Sequence, residues 1–414
     1  VRLAIAGGGT GGHIVPGLYV LAFGREPRAG DAGESPTHDR AHAVLRPVGD
    51  VVWFTSGRSV EVRVMASDAA RHVVAGVERI ALPLEPRGGG APSRASLAWR
   101  TPRAVVCARA ALARHRSQVL LGLGGFTTLP AVLAARSLGI PVALLEVNAH
   151  EGAATRWLER FATRVLHAWP STLPARDAHQ QSSAGRGTTS RDVHRWTGPP
   201  LPPSVCARPT AADEARARAE LGFDPARPLL VVLGGSQGAA GLNAFVRAHA
   251  PALVARGVQI LHQTGPGKLG ESAPSFTGYR ALEYVDPVER ALHAATVVLC
   301  RGGASTLAEI AALRKPAVVV PYPHHADRHQ EQNARQLGDG VRIVDESRLG
   351  VAARDEIAVL CSAAGESERA RMSAALRSAM PIDGSRRVYE ELCALAAGAA
   401  CAAETAAARA EVHR

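Results

Sequence analysis

The 414-residue sequence predicts two Rossmann-like, doubly wound α/β domains facing each other across a cleft, on three observations. Short apolar runs without polar alternation are separated by Ala/Arg/Leu-rich helical stretches, the pattern of parallel strands covered on both faces. A strand followed by a glycine-rich turn and a helix start occurs twice, at 3–13 and at 228–243. Between the two copies lies a polar, proline-rich stretch with the composition of a linker.

Taken in order, LAIA (3–6) reads as a buried strand, GGGTGG (7–12) as the turn, and His13 as the start of a helix. That helix should close near a loop-like insertion at 25–50. VVWF (51–54), VLLGLGG (119–125) and PVALLEVN (141–148) supply further strands and their exits. The stretch 93–116 mixes Leu97, Trp99 and Val105 with several arginines. It suits either an amphipathic helix packed on the sheet or an anionic membrane interface. Residues 170–192 are rich in Ser, Thr, Gly and Pro, and WTGPPLPPS (196–204) adds a stiff extended connector. The second half restarts with PLLVVLGGSQGAAGLN (228–243) and continues through QILHQTG (259–265), TVVLC (296–300) and PAVVVPYP (316–323). The expected domains are 1–169 and 205–387, joined by a linker at 170–204 and followed by an Ala-rich helix at 388–414.

Composition narrows the function classes. The formal net charge is +11, yet aromatic residues make up only 4% and none interleave with basic clusters, so nucleic acid is not an expected partner. The basic count is almost all arginine, with Lys268 and Lys315 as the two lysines. The six cysteines (Cys107, Cys206, Cys300, Cys361, Cys393, Cys401) lack metal-ligand spacing and read as reduced thiols. The sequence begins without a signal peptide's apolar core and contains no membrane-length apolar run. The expectation is a soluble cytoplasmic protein.

Several motifs bear on chemistry. GGGTGG lacks the dinucleotide GxGxxG spacing and any GKS/GKT, but a glycine-rich turn at a helix start suits phosphate. His13 at that helix start should have a lowered pKa and could serve as general base, as hydrogen-bond partner, or as a structural residue. GLGGFTTLP (122–130) is a further glycine-rich turn, and EVNAHEG (146–152) brings Glu146 and Asn148 to the same strand-end rim. Ser236 in GGSQG reads as a phosphate ligand or as an N-cap. Thr306 and Glu309 match a capping box, while Glu309 also stands where a nucleotide site puts its ribose acceptor. PYPHHADRHQEQNARQL (321–337) gathers His324, His325, Asp327 and His329, but not at metal-site spacing. Gln330 and Asn333, at i and i+3 of one helix, suit hydroxyl recognition on a sugar.

These motifs together resemble the MurG family, the UDP-N-acetylglucosamine:lipid I N-acetylglucosaminyltransferases of the GT-B class. The resemblance runs in order through GGGTGGHIVPGL, GLGGFTTLPAVLAARSLGIPVALLEVNAHEG, TGPP, GGSQGAAGLN, HQTG, RGGASTLAEIAALRKPAVVVP and HQEQNA. It implies transfer of GlcNAc from UDP-GlcNAc to the C4 hydroxyl of MurNAc in lipid I, without cofactor or metal. It implies that Thr10, Gly11 and Gly12 line the cleft, that His13 is the base and that Asn148 lies near the transferred sugar. Gly8, Gly9, Gly124 and Gly125 would face the acceptor diphosphate. On the donor side Ser236 would contact phosphate, and the Val285 backbone would meet uracil. Ala304, Ser305, Thr306, Leu307, Ala308 and Glu309 would form the nucleotide loop, with Glu309 on the ribose. Gln330, with Asn333 beside it, would take GlcNAc hydroxyls. The implied partners are UDP-GlcNAc, lipid I, the cytoplasmic membrane surface and other cell-wall synthesis proteins.

This chain departs from the family at TGPPLPP, where TGNPxR is usual, so an arginine for the donor diphosphate is missing near Pro202. Arg208 and Arg301 are the substitutes the sequence offers. Phe126 replaces the usual tyrosine of the GGY turn, and EVN (146–148) stands for EQN. Two other readings share the fold: a UDP-GlcNAc 2-epimerase, and a non-catalytic scaffold of the wall-synthesis machinery.

Overall fold

The structure, a computed structural model, describes residues 1–26, 45–85, 93–174, 193–205, 209–270, 276–324, 327–377 and 379–412. Two all-parallel sheets organise them. The first contains β1 (Leu3–Ala6), β2 (Val51–Thr55), β3 (Glu78–Ala81), β4 (Val119–Gly122), β5 (Val142–Glu146), β6 (Arg164–His167) and β7 (His194–Trp196), in the order β3-β2-β1-β4-β5-β6-β7. The second contains β8 (Leu229–Leu233), β9 (Gln259–Gln263), β10 (Tyr279–Leu282), β11 (Val297–Cys300), β12 (Ala317–Val319) and β13 (Val341–Ile343), in the order β10-β9-β8-β11-β12-β13. Central strands such as β1, β4, β8 and β11 are buried along their whole length. Their unbroken apolar character follows from having helices on both faces.

Strand order reverses between β1 and β4 in the first sheet and between β8 and β11 in the second. Ligands of open α/β sheets bind beyond the carboxyl ends of strands at such points. The register pairs Ala6 with Gly122 and Leu233 with Cys300, so each pair of strands ends level. The three glycine-rich turns singled out in the sequence, at 7–12, 122–125 and 234–238, and the RGG turn at 301–303 therefore lie beside these two reversals.

The Ala-rich tail is a helix over Gly384–Val412 and returns from the second sheet to the first. Val388, Tyr389, Leu392, Cys393 and Ala396 join the core formed by β1 and the Val15–Arg25 helix. Tyr389 Oη donates to the Arg46 carbonyl at 2.6 Å, and Glu391 pairs with Arg164 at 3.2 Å. Burying each large side chain of this kind contributes roughly 1.5–3 kcal/mol. The connector is tied down as well: Leu201 N–H donates to Ser385 Oγ, which donates back to the Leu201 carbonyl. Of the two expected insertions, residues 27–44 and 175–192 lie outside the described residues, as does Cys206.

The stretch 93–116 folds as the Arg94–His115 helix, N-capped by Ser93, whose side chain accepts from Ser96 N–H. Ala104, Ala108, Ala111 and Leu112 pack one face into the first domain, while Trp99 is 86% exposed. Among the described residues no helix is long and apolar enough to cross a membrane.

Candidate active site

The turn after β1 is organised by a carboxylate that the sequence did not single out. Glu61, in the first turn of the Ser59–Met65 helix, is 2% exposed. It accepts from the N–H groups of Gly9, Ser56 and Gly57 and from Ser56 Oγ. The Gly9 amide, expected to face a diphosphate, is thus committed to Glu61. Only a carboxylate opening a helix just after a strand's Ser-Gly exit could have signalled this role.

His13 closes a one-turn 3-10 segment, Gly11–His13, ahead of the Val15–Arg25 helix. Its Nδ1 lies 3.3 Å from the Gly8 carbonyl oxygen and 3.4 Å from Thr10 Oγ1. A carbonyl oxygen only accepts, so Nδ1–H donates to it and Nε2 keeps its lone pair. Burial holds the His13 pKa below its ordinary value of 6.5, against the opposing pull of the Gly8 bond and the Glu146 carboxylate. A neutral imidazole follows, by desolvation and not by the helix dipole the sequence suggested. The ring lies against the second turn of this domain. Gly125 has φ +75°, and a Cβ there would stand 3.0 Å from His13 Nδ1 and 2.9 Å from the Gly8 carbonyl. Only glycine meets both demands.

Asn148 is positioned by Glu146, which is 3% exposed and accepts from Asn148 N–H at 3.0 Å and Asn148 Nδ2 at 3.2 Å. Glu146 also takes Gly152 N–H and Thr155 Oγ1, which fixes the loop from β5 to the next helix. Asn333 corrects an expectation. It is fully buried, its Oδ1 accepts from Ala149 N–H at 2.7 Å, and its Nδ2 donates to Asn148 Oδ1 and the Gly302 carbonyl. Asn333 is thus a bridge between the halves that sets Asn148, not a surface for sugar hydroxyls. Gln330, one turn earlier, accepts through Oε1 from Gly302 and Tyr322 N–H, leaving its Nε2 hydrogens without a protein partner among the described residues.

On the other wall, Gly303 is the N-cap of the Ala304–Leu313 helix and no side chain caps it. The Thr306–Glu309 capping box is not formed, so the first amides of this helix remain open to an anion. The N-cap of the Ala240–Ala255 helix is Ala239, so Ser236 is not a cap either. Ser236 faces the first domain, where a Cβ on Gly11 would stand 3.1 Å from its Oγ. Gly11, Gly12, Ser236, Ala304, Ser305 and Thr306 line one crevice of about 230 Å³. Leu307 and Ala308 are fully buried and face the core, so they cannot touch a ligand through their side chains.

Glu309 reaches a neighbouring cavity of about 340 Å³, shared with Tyr19, Tyr284, Glu289 and Pro202. Tyr19 Oη, from the first domain, donates to Glu309 Oε1 at 2.5 Å. Burial pushes the Glu309 carboxyl up to about 7, with Glu289 adding to the rise and Tyr19 opposing it. Val285 is buried, and its N–H donates to Gln263 Oε1 at 3.0 Å, so at most its carbonyl is left for a base.

Of the two substitute arginines only Arg301 lies within the described residues. Arg301 pairs with Glu346 at 2.5 Å and donates to the Val320 and Pro321 carbonyls. Arg208 lies outside the described residues, and so does His325. Asp327 binds His329 Nδ1 at 2.8 Å, and the described residues contain no cluster of three or more His, Cys, Asp or Glu arranged for a metal.

Comparison with known proteins places this cleft in context. Residues 50–167 match the N-terminal domain of glycosyltransferase family 28, and residues 229–348 match its C-terminal domain. A UDP-N-acetylglucosamine–N-acetylmuramyl-(pentapeptide) pyrophosphoryl-undecaprenol N-acetylglucosamine transferase of Sorangium cellulosum is 35% identical over 96% of this chain and 89% of its own length. A relative of the same description from Frankia casuarinae is 36% identical over 90% of each. Among solved structures, Acinetobacter baumannii MurG superposes with a TM-score of 0.62 at 22% identity, covering 94% of this chain and 98% of that one. A UDP-GlcNAc 2-epimerase from Neisseria meningitidis superposes with a TM-score of 0.60 at 13% identity, covering 95% and 99%. At these identities the two structural likenesses speak to the fold.

Proposed function

The chain belongs to glycosyltransferase family 28, among the UDP-N-acetylglucosamine–N-acetylmuramyl-(pentapeptide) pyrophosphoryl-undecaprenol N-acetylglucosamine transferases, and from that membership we infer that it transfers GlcNAc from UDP-GlcNAc to lipid I. The observation that best supports a working site is the crevice where Gly11 and Gly12 face Ser236 and the uncapped helix at Ala304. The glycine turn that leads into His13 and an anion-ready helix end meet there from opposite domains.

On this reading His13 Nε2 takes the proton of the MurNAc C4 hydroxyl. The oxygen attacks the anomeric carbon of GlcNAc with inversion, and the bond from that carbon to the β-phosphate oxygen breaks. UDP leaves with the electron pair, stabilised by the helix amides at 304–306 and the Ser236 hydroxyl. Asn148, held by Glu146 and Asn333, and the Gln330 amide are assigned to the transferred sugar. The nucleoside is assigned to the cavity of Tyr284 and Glu309. No cofactor is assigned.

The decisive experiment incubates the protein with UDP-GlcNAc, with and without lipid I, and follows UDP. Release that requires lipid I, with formation of the disaccharide lipid, is the expected result. Conversion of UDP-GlcNAc alone to its 2-epimer would overturn the transferase reading, and absence of any turnover would support the scaffold.

The acceptor is lipid-linked, so we place the protein peripherally on the cytoplasmic face of the membrane. Trp99 and Trp157, 86% and 67% exposed, offer aromatic anchors, and the Arg160 guanidinium lies 4.8 Å over the Trp157 ring. Amphipathic surfaces with aromatic and cationic side chains favour anionic interfaces. Trp99→Ala is expected to weaken binding to anionic phospholipid vesicles about tenfold, from the lost apolar burial. Unchanged co-sedimentation would remove Trp99 from the docking face.

A further inference from the structure

The glycine-rich turn at 7–12 is a poor anion cradle on its own. Glu61 sits beneath it, takes the Gly9 N–H, and would lie 2.5 Å from any Cβ on Gly8. A diphosphate placed on this turn would lie over a buried carboxylate that already holds the Gly9 amide, so positive charge must come from elsewhere.

That charge lies in the next cavity. A space of about 670 Å³ opens between Gly9, Arg58, Arg63 and Glu85 of the first domain and Gln237 and Lys268 of the second. Arg58 is neutralised by Glu85 at 2.6 Å and stacks over Phe126. Arg63 is exposed and makes no hydrogen bond or ion pair among the described residues. Its charge nevertheless reaches the second domain, where it works against the raised pKa of Tyr284. Lys268 Nζ donates to the Gln237 carbonyl at 2.8 Å, a bond that orients the ammonium, and it has no ion-pair partner among the described residues. Two cations from opposite domains, neither ion-paired among the described residues, thus face one open space beside the turn that carries His13.

We propose that Arg63 and Lys268 bind the acceptor's diphosphate across the mouth of the cleft. The donor phosphates are assigned to the smaller crevice at Ser236 and Ala304. The acceptor diphosphate differs because it continues into a lipid chain that must leave the protein. It therefore belongs in an open cavity, one sugar away from the hydroxyl that reacts at His13. Bidentate or point-charge binding of phosphate by Arg and Lys is the chemistry such a site provides. This inference rests on the transferase reading and refines the diphosphate seat expected at Gly8, Gly9, Gly124 and Gly125.

The test is steady-state UDP release by Arg63→Gln, Arg63→Lys and Lys268→Gln, with folding checked by thermal unfolding. Each Gln variant is expected to raise the KM for lipid I about tenfold, with the KM for UDP-GlcNAc unchanged and Arg63→Lys recovering most of the loss. With an acceptor lacking the diphosphate, the penalty should vanish. An unchanged lipid I KM, a raised donor KM, or a penalty that persists on the truncated acceptor would overturn the proposal. Failure of the unmodified protein to use lipid I would instead overturn the transferase reading itself.

Discussion

His13→Ala is expected to lower kcat for transfer by about 10²–10⁴-fold, the usual contribution of a positioned general base. Binding of UDP should be nearly unchanged, because the donor phosphates are assigned to Ser236 and the 304–306 amides of the other domain. The size of the effect follows from the state in which the fold holds this imidazole. The Gly8 carbonyl fixes the proton on Nδ1, and burial favours the neutral ring, whose Nε2 then carries the lone pair. The pH profile carries an independent signature. Protonation of Nε2 removes the base, so kcat/KM should fall on the acid side through a pKa below 6.5 and stay level above it. The residual rate of His13→Ala should lack that acid limb. Wild-type turnover by the alanine variant, or an acid limb that survives in it, would remove His13 from the chemistry.

His13 was legible in the sequence because everything that places it is local: a strand, a glycine turn and a helix start within a dozen residues. The strands followed the same rule. β1, β2, β4, β5, β8, β9, β11 and β12 are apolar runs because both their faces are covered. The interior strand β6 and the four edge strands were not singled out, and the edge strands share a physical reason. β3 (ERIA), β7 (HRW), β10 (YRAL) and β13 (VRI) each have one neighbour and part of their surface in water, so no apolar run marks them. The tie of Glu61 to Gly9, the tie of Tyr19 to Glu309 and the bridging role of Asn333 escaped because the partners are distant in sequence. They lie 52, 290 and 184 residues away. Local motifs gave each turn its chemistry, but which turn amides remain free depended on contacts that only the folded chain brings together. The Gly9 amide is taken by Glu61, whereas the helix amides at Ala304 are left open because its expected capping box does not form.

Glu309→Gln should act in opposite directions on stability and on donor binding, a pairing that a purely structural residue would not produce. Burial raises the Glu309 carboxyl from 4.5 to about 7 in the folded protein. Between those values the folded state holds more protons than the unfolded one, so stability falls as pH rises through the window, and the loss is complete above pH 7. The shift corresponds to about 3 kcal/mol at most. Glu309→Gln keeps the shape and an acceptor for Tyr19 Oη but cannot ionise. It should therefore raise the thermal midpoint at pH 8 relative to the natural chain and leave it little changed near pH 4.5. Donor binding follows the reverse logic. Ribose hydroxyls donate, and a carboxylate accepts from them more strongly than an amide does. UDP-GlcNAc affinity should thus improve as pH rises through 7, with the sugar hydroxyls displacing Tyr19 from Glu309. In Glu309→Gln that pH dependence should disappear, and affinity at pH 8 should drop by about tenfold or more. Calorimetric titration of UDP-GlcNAc at pH 6 and pH 8, beside thermal unfolding at the same values, separates the possibilities. Stabilisation without loss of affinity would leave Glu309 as a buried partner of Tyr19 alone. Loss of affinity without stabilisation would mean that the carboxyl is already ionised in the closed cleft, and that desolvation there is weaker than its burial implies.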